Sequence, residues 1–411
     1  MLENELNSEE TSVTLFSFIM DKKLPKEIYT LQFLVLLSYS SLAVLTLLPR
    51  FFEHLNGSPR QIGFLIGIFS FAAFLSRPFG GWLLSRAKPK KVMLAGFVIA
   101  LISLGLHLLV QRLDWFIVFL RIFHGIGFSL LIIAALFIAV MVVREELRTY
   151  AIGVVSTGFL LPLLVIPALS EEVIQRFGFF FFFLTAIFFA AVPLFFTLFL
   201  KFRVPKEISD GDLVSAGFFS LLRQKRILFI FLLTFVFEVA LSASLSFVPL
   251  LAHKGVPIRA GYFYTSLGLT AVFLRLVGGR WLKFWGNSKL LLPAMYFLCA
   301  GAVMVYLSEN SAMLVFSGII WGLGTGVLYP HLSALSVEGV GTKNKGKALS
   351  LFASSVDLGF ALGPIIFGWL SQTLGVREAF IPLALIIFVS ATGIMLWGRS
   401  SLMSLRPDSN P

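Results

Sequence analysis

The sequence predicts an all-α integral membrane protein: twelve transmembrane helices arranged as two six-helix, pseudo-symmetric bundles. Three observations predict it. Of the 411 residues, 58% are hydrophobic and only 13% charged, a balance far from that of soluble domains. Apolar runs of about 20 residues, enough to cross a hydrocarbon core, recur along nearly the whole length. The chain also repeats itself. Gly57, Pro59, Gly63, Arg77, Gly80 and Gly81 return 198 residues later as Gly255, Pro257, Gly261, Arg275, Gly278 and Gly279. Ala151, Pro167 and Gly178 return after 197 as Ala348, Pro364 and Gly375. A duplicated bundle of membrane helices is a common build for a secondary transporter.

Taken in order, residues 1–27 form a cytoplasmic segment that is polar and acidic at first (Glu3, Glu5, Glu9, Glu10). That is unlike the basic leader of a signal peptide, and no cleaved signal is expected. Spans at 28–50, 60–82, 91–111, 115–141, 149–170 and 178–200 make the first bundle, 28–200. A cytoplasmic linker, 201–225, opens with Lys201, Arg203, Pro205 and Lys206. In it, Leu213 to Arg226 reads either as a short amphipathic helix on the membrane surface, with Phe218 and Phe219 toward lipid, or as a solvated connection. Spans at 226–250, 258–281, 289–308, 312–335, 346–370 and 378–398 make the second bundle, 226–398, and a short polar cytoplasmic tail, 399–411, follows.

The formal charge of +12 invites a nucleic-acid partner, and the positions of the charges refuse it. Lys and Arg crowd alternate loops, as Lys22, Lys23 and Lys26, then Arg86, Lys88, Lys90 and Lys91, then Arg144 and Arg148, with Arg223, Lys225 and Arg226 in the linker. This positive-inside pattern puts both termini in the cytoplasm. The expected setting is a bacterial inner (plasma) membrane crossed many times, with the lipid bilayer as neighbour. Cys299 is the only cysteine, which excludes an intramolecular disulfide and a cysteine-based metal cluster. No His and carboxylate cluster has metal spacing on one helix, no glycine loop ends in Lys-Ser or Lys-Thr, and no nucleophile and base stand together. We therefore expect no enzyme, no metal and no cofactor, and a monomer suffices for the architecture.

Several motifs carry a resemblance. Arg77-Pro-Phe-Gly80-Gly81-Trp-Leu, followed by Ser85, Arg86 and Lys90, resembles the loop between helices two and three of the major facilitator superfamily. A second copy reads Arg275, Gly278, Gly279, Lys283 and Gly286. Arg121, His124, Gly125 and Gly127 are similar to the fourth-helix motif of that family's proton-driven members. Gly359, Gly363 and Pro364 resemble the Gly-Pro motif that its exporters carry in helix five, where this chain keeps Pro167. The resemblance covers about residues 28–400. It implies the major facilitator fold, alternating access between two bundles, and an efflux-type, proton-antiporter-like role. The chain departs at Ser85, where the family holds an Asp, and at Lys88 and Lys283, which puts in question the conformational latch that the loop implies.

Ionisable groups inside a bilayer are costly, so each marks function by default. Glu238 and Asp357 read as the only acids deep in the spans and are the candidates for proton coupling, with Arg121 to compete for a carboxylate or bind an anionic group, and His124 one turn away as a relay. Arg77 and Arg275 lie toward the cytoplasmic helix ends, where side chains snorkel to headgroups. Gln32, Tyr39, Ser40, Trp321, Tyr329 and His331 offer hydrogen bonds and aromatic faces for a cavity wall. The leading function is proton-coupled export of a small amphipathic solute. The alternatives are a proton-linked importer of a small metabolite or organic acid, and a lipid flippase on the same fold.

Overall fold

Side-chain oxygens of Ser58, Asp114 and Asn310 each cap the start of a helix. The computed structural model describes residues 24–144, 147–202, 221–253, 259–285, 290–338, 340 and 345–403, and among them every regular element is helical. Helix α1, Lys26–His54, is interrupted by a 3-10 turn at Leu45–Leu47. It is followed by α2 (Pro59–Arg86), α3 (Pro89–His107) and α4 (Trp115–Met141). Ser58 and Gln61 form a reciprocal capping box at the start of α2, with Pro59 in its first turn, so that orphan N–H groups there are satisfied locally. Asp114 accepts the Phe116 N–H at 3.0 Å to start α4. The hydrogen bond from Arg112 holds the Asp114 carboxyl below its usual range.

Helical structure then runs from Arg148 to Phe199, broken only at Gly178, whose φ is 77°. At 1.5 Å per residue those 52 residues measure about 78 Å, more than twice the thickness of a hydrocarbon core. They are therefore two elements, α5 (148–177) and α6 (179–199). The sequence predicted an inter-span loop from 171. The helix continues instead to 177, where Glu172 and Arg176 pair across one turn, and it stops where a residue without a Cβ can turn left-handed. The repeat partner of Gly178, Gly375, also has a positive φ, 99°.

The second half comprises α7 (Lys225–His253), α8 (Ala260–Trp285), α9 (Leu291–Leu307), α10 (Ser311–Val337), α11 (Lys345–Leu374) and α12 (Phe380–Met403), after a 3-10 turn at Leu221–Arg223. Nine of the described helices are both long and apolar enough to cross a membrane, with Tyr150–Phe199 taken as one, and Leu291–Leu307 is apolar but shorter. Large apolar side chains point outward, among them Phe177, Phe188, Phe199, Phe273 and Leu385, as a lipid solvent allows. Gly255, Pro257 and Gly286, most of the 201–225 linker with Leu213 to Ser220, and nearly all of the 1–27 and 404–411 segments lie outside the described residues.

Within the first half α1 packs on the α5–α6 stretch, α3 on α4, and α2 on α4. Within the second, α7 packs on α11, α8 on α10, and α9 on α10 and α12. Two main seams join the halves, α2 against α11 and α5 against α8, with a smaller contact of the end of α1 on α7. Both are close backbone contacts. A Cβ on Gly63 would lie 2.1 Å from the Pro364 carbonyl oxygen, and one on Gly261 would lie 2.4 Å from Ala168 Cα. Small residues permit such an approach where lipid gives no hydrophobic drive to association.

Candidate functional site

Part way along the α2–α11 seam, Arg77 and Asp357 form an ion pair. Nε lies 2.5 Å from Oδ2, and Nη2 donates to Oδ1 at 2.9 Å. The side chains are 38% and 16% exposed. Arg77 therefore does not snorkel to headgroups, as its place in the sequence predicted, but reaches across to the other half. Tyr39 of α1 and Tyr329 of α10 stand in the field of both charges. The Tyr39 ring stacks on Phe159 at 4.5 Å and meets Phe128 edge-on at 5.1 Å, which fixes its direction. The Arg275 guanidinium carbon stands 5.7 Å from the centre of the Tyr329 ring.

Behind them lies Glu238 of α7, 1% exposed. Neither carboxylate oxygen has a hydrogen-bond partner among the described residues, and the charges acting on it are Asp357 and Arg275. The α11 backbone passes directly over it, since a Cβ on Gly359 would be 2.5 Å from the Glu238 Cβ. A buried carboxylate without a donor calls for a proton or for a cationic or N–H partner. Glu238, Asp357, Arg77, Arg275, Tyr39 and Tyr329, scattered over the sequence, thus act on one another electrostatically around the Arg77–Asp357 pair, which crosses the halves.

Arg121 and His124 lie elsewhere, inside the first half. Arg121, 4% exposed, donates from Nε to the Leu65 carbonyl at 2.9 Å and sits 4.7 Å over the Phe69 ring. Its Nη1 has no partner, and no carboxylate reaches it among the described residues. The expected competition of Arg121 with a proton for an acid is absent from this arrangement. The His124 ring is 4.9 Å from Phe69 and 6.4 Å from His107. With Ser38, Ser41 and Phe128 it lines a cavity of about 10 Å³, room for one water.

The other expected cavity residues divide. Gln32 joins α1 to α5 by a 2.7 Å hydrogen bond to Thr157 Oγ1. Ser40 returns its hydroxyl to the Leu36 carbonyl, and His331 holds the Val327 carbonyl of its own helix at 2.7 Å. Trp321 is fully buried. Its ring lies against Gly301 of α9, where a Cβ would be 2.7 Å away, so it faces into the second half and not the space between halves. In the loop motif, Ser85 donates to the Trp82 carbonyl and Arg86 stacks over the Trp82 ring at 4.6 Å. Lys90 Nζ donates to the carbonyls of Leu198 and Leu200 at 2.8 and 2.6 Å, capping the end of α6 where a cation is favoured. Gly80 meets α4 at Ile133, whereas Gly81 has no close neighbour among the described residues. Gly125 and Gly127 press on Phe69 of α2 and Ala100 of α3, and Gly363 presses on Val239 and Ser242 of α7.

Sequence reasoning missed Arg50 and Glu171. Glu171 lay one residue beyond the predicted span and was not counted among the deep acids, yet its side chain is 2% exposed. It pairs with Arg50 Nη2 at 2.7 Å and accepts the N–H groups of Ala260 and Gly261 at 3.2 and 2.8 Å. Arg50 Nε in turn donates to the Pro249 carbonyl at 3.0 Å. Next to this cluster Glu172 pairs with Arg259 at 2.8 Å. The available signal was the doublet Glu171-Glu172, too charged to end a span without partners, opposite Arg50 at the end of the first span.

The sequence profile of the Major Facilitator Superfamily matches residues 28–310 and 260–408. The staphylopine export protein of Staphylococcus aureus is 22% identical over 373 residues, 87% of this chain and 93% of that protein. The multi-drug resistance efflux pump PmrA of Streptococcus pneumoniae is 23% identical over 377 residues, covering 87% and 92%. Among solved structures, the nucleoside transporter NupG superposes with a TM-score of 0.74 at 16% identity, over 91% of this chain and 99% of that one, a likeness of fold. The chain belongs to the Major Facilitator Superfamily and is a transporter of small molecules, not an enzyme.

Proposed function

We propose that this member of the Major Facilitator Superfamily exports a small amphipathic solute in exchange for protons, with the halves 28–200 and 226–398 rocking as two bodies about a central binding region. The observation that carries the reading is Glu238. It is a carboxylate whose two oxygens have no hydrogen-bond partner among the described residues, in reach of the field of Arg275 and of the Arg77–Asp357 pair that ties the halves together. A proton on such a group is exchanged at low cost only when the site opens to water, which is what coupling by alternating access needs. Tyr39 and Tyr329 supply hydroxyls and ring faces for a solute of mixed character. The efflux names of the relatives favour export.

The crowding of Lys and Arg in alternate loops supports a chain direction with both ends cytoplasmic. On that reading the end of the bundle bearing Pro59, Glu171 and Gly368 faces outward, and its close contacts make this an inward-facing state. Arg121 and His124 act within the first half on the helix α2–α4 contact, and a monomer is the working unit.

The experiment is solute-evoked proton movement in liposomes holding the purified protein, with a pH dye inside. Glu238→Gln and Asp357→Asn are expected to lower the flux by about a hundredfold, the order lost when an essential proton carrier is removed. Alkalinisation or acidification of the lumen distinguishes antiport from symport. Unchanged flux in both variants would remove the coupling assignment.

A further inference from the structure

The α8 helix begins at Ala260; the Tyr262 N–H donates to the Arg259 carbonyl at 3.1 Å, and among the described residues the N–H groups of Ala260 and Gly261 find no acceptor in their own half. Arg259 precedes them, and it is turned to Glu172. The cap comes from the other half. Glu171, on α5, takes the N–H of Ala260 on one carboxylate oxygen and that of Gly261 on the other. Arg50, on α1, neutralises the same carboxylate and donates to the α7 carbonyl of Pro249. Three helices, two from the first half and α8 from the second, thus meet on one buried carboxylate, and Arg50 extends the cluster to a fourth, α7. A helix N-terminus favours an anion and leaves costly orphan donors without one. A buried carboxylate that loses its donors is equally costly.

We propose that Glu171 is a trans-acting helix cap whose departure from α8 is the step that parts the halves at this end of the molecule, with Arg50 holding it in position. The inference rests on the alternating-access reading. It assigns to Arg50 and Glu171 the control of one seam only. Among the described residues the α2–α11 seam has no carboxylate bonded across it at this level: there Gly368 lies against Pro59 and Gly63 in direct backbone contact, and the Arg60 guanidinium rests on the Trp369 ring. Closure at α5–α8 is therefore a bond that is made and broken, not a surface that merely touches. The two functions of Glu171, accepting two N–H groups and pairing with Arg50, are separable. Gln keeps an acceptor and loses the charge. Exchanging the two residues keeps the ion pair and loses the cap, because a guanidinium has no acceptor for an N–H.

The test uses full-length protein in liposomes, with Cys299→Ser as background and spin labels at Phe177→Cys and Leu307→Cys, both exposed positions on opposite halves. Double electron–electron resonance reads the distance distribution, and solute-evoked flux is measured on the same samples. Glu171→Gln and Arg50→Gln are expected to raise the ratio of wide to narrow distances by about tenfold or more, as loss of one buried charged hydrogen-bond partner allows. The exchange Arg50→Glu with Glu171→Arg is expected not to restore the wild-type ratio. Glu172→Gln, at a more exposed pair, is expected to stay within about twofold of wild type. Distributions in Glu171→Gln and Arg50→Gln that match wild type overturn the proposal, and so does full rescue by the exchange. Wild-type protein that shows no flux with any solute bears instead on the transport reading, since the distance ratio is measured without solute.

Discussion

Gly63 of α2 lies against Pro364 of α11, and its repeat partner Gly261 of α8 lies against Ala168, beside Pro167, of α5. The two seams are the same contact made twice by a duplicated sequence, yet the chemistry around them differs position by position. At an offset of 197, Glu171 corresponds to Gly368, Glu172 to Trp369, and Leu160 to Asp357. Where one seam has the ion pair of Glu172 with Arg259, the other has the Arg60 guanidinium 3.5 Å from the centre of the Trp369 ring. Where Arg77 finds Asp357, its counterpart Arg275 faces Leu160 in the alignment and turns to Tyr329. Duplication repeats the geometry of close helix contact, which small residues dictate. It leaves the charges free to differ, so that one seam is zipped from Gly368 to Asp357 and the other is pinned at its end.

The shared geometry is the part whose loss has the largest effect. Gly63→Val and Gly261→Val each place atoms within about 2.4 Å of backbone across a seam. Overpacking of this kind costs about 3 kcal/mol, and each variant is expected to lose transport altogether and to unfold at lower temperature in detergent. Gly81→Val, with open space around it, is the matched control and is expected to keep its melting temperature within a few degrees. A neutral Gly261→Val would show that the α5–α8 seam is looser than the α2–α11 seam.

Next comes the central charge. Asp357→Leu makes α11 resemble α5 at this position and removes the partner of Arg77. Because the Arg77 side chain is 38% exposed, the stability lost is about 1 kcal/mol, well under the cost of breaking a fully buried pair. The expected loss of transport is much larger, about a hundredfold. The converse, Leu160→Asp, offers Arg275 a carboxylate across the α5–α8 seam. It is expected to slow turnover about tenfold by tying that seam a second time, an effect of the size of one new ion pair with limited burial. Faster or unchanged turnover would show that Arg275 does not approach α5 during the cycle.

The fold was legible because membrane helices announce themselves by length and apolarity, and because Gly, Pro and Arg mark the repeat. Even the paired glycines Gly178 and Gly375 proved to share positive φ. The grouping of Glu238 with Asp357 followed from the cost of charge in lipid, a rule that applies residue by residue. What the rule could not supply was who meets whom. Arg121 looked like a partner for an acid and instead caps a carbonyl of α2. Trp321 looked like a cavity wall and packs on α9, because a single aromatic on an apolar helix carries no sign of which neighbour it faces. Glu171 was hidden by a boundary drawn one residue early, in a helix whose end is set by Gly178 and not by charge.

The smallest expected effect bears on capping. The N-terminus of α2 is capped within its own half, by Ser58 and Gln61, whereas α8 takes its cap from Glu171 across the seam. At the offset of 198 the residue matching Ser58 is Val256, which has no acceptor to offer. Ser58→Ala removes the local cap and is expected to cost about 1 kcal/mol, seen as a modest fall in melting temperature. It is also expected to leave the proportion of inward-facing and outward-facing molecules unchanged, since the lost bond lies wholly inside one half and is the same in both states. A shift in that proportion would mean that α2 itself frays when the halves part, and the α2–α11 seam would be the one that gives way.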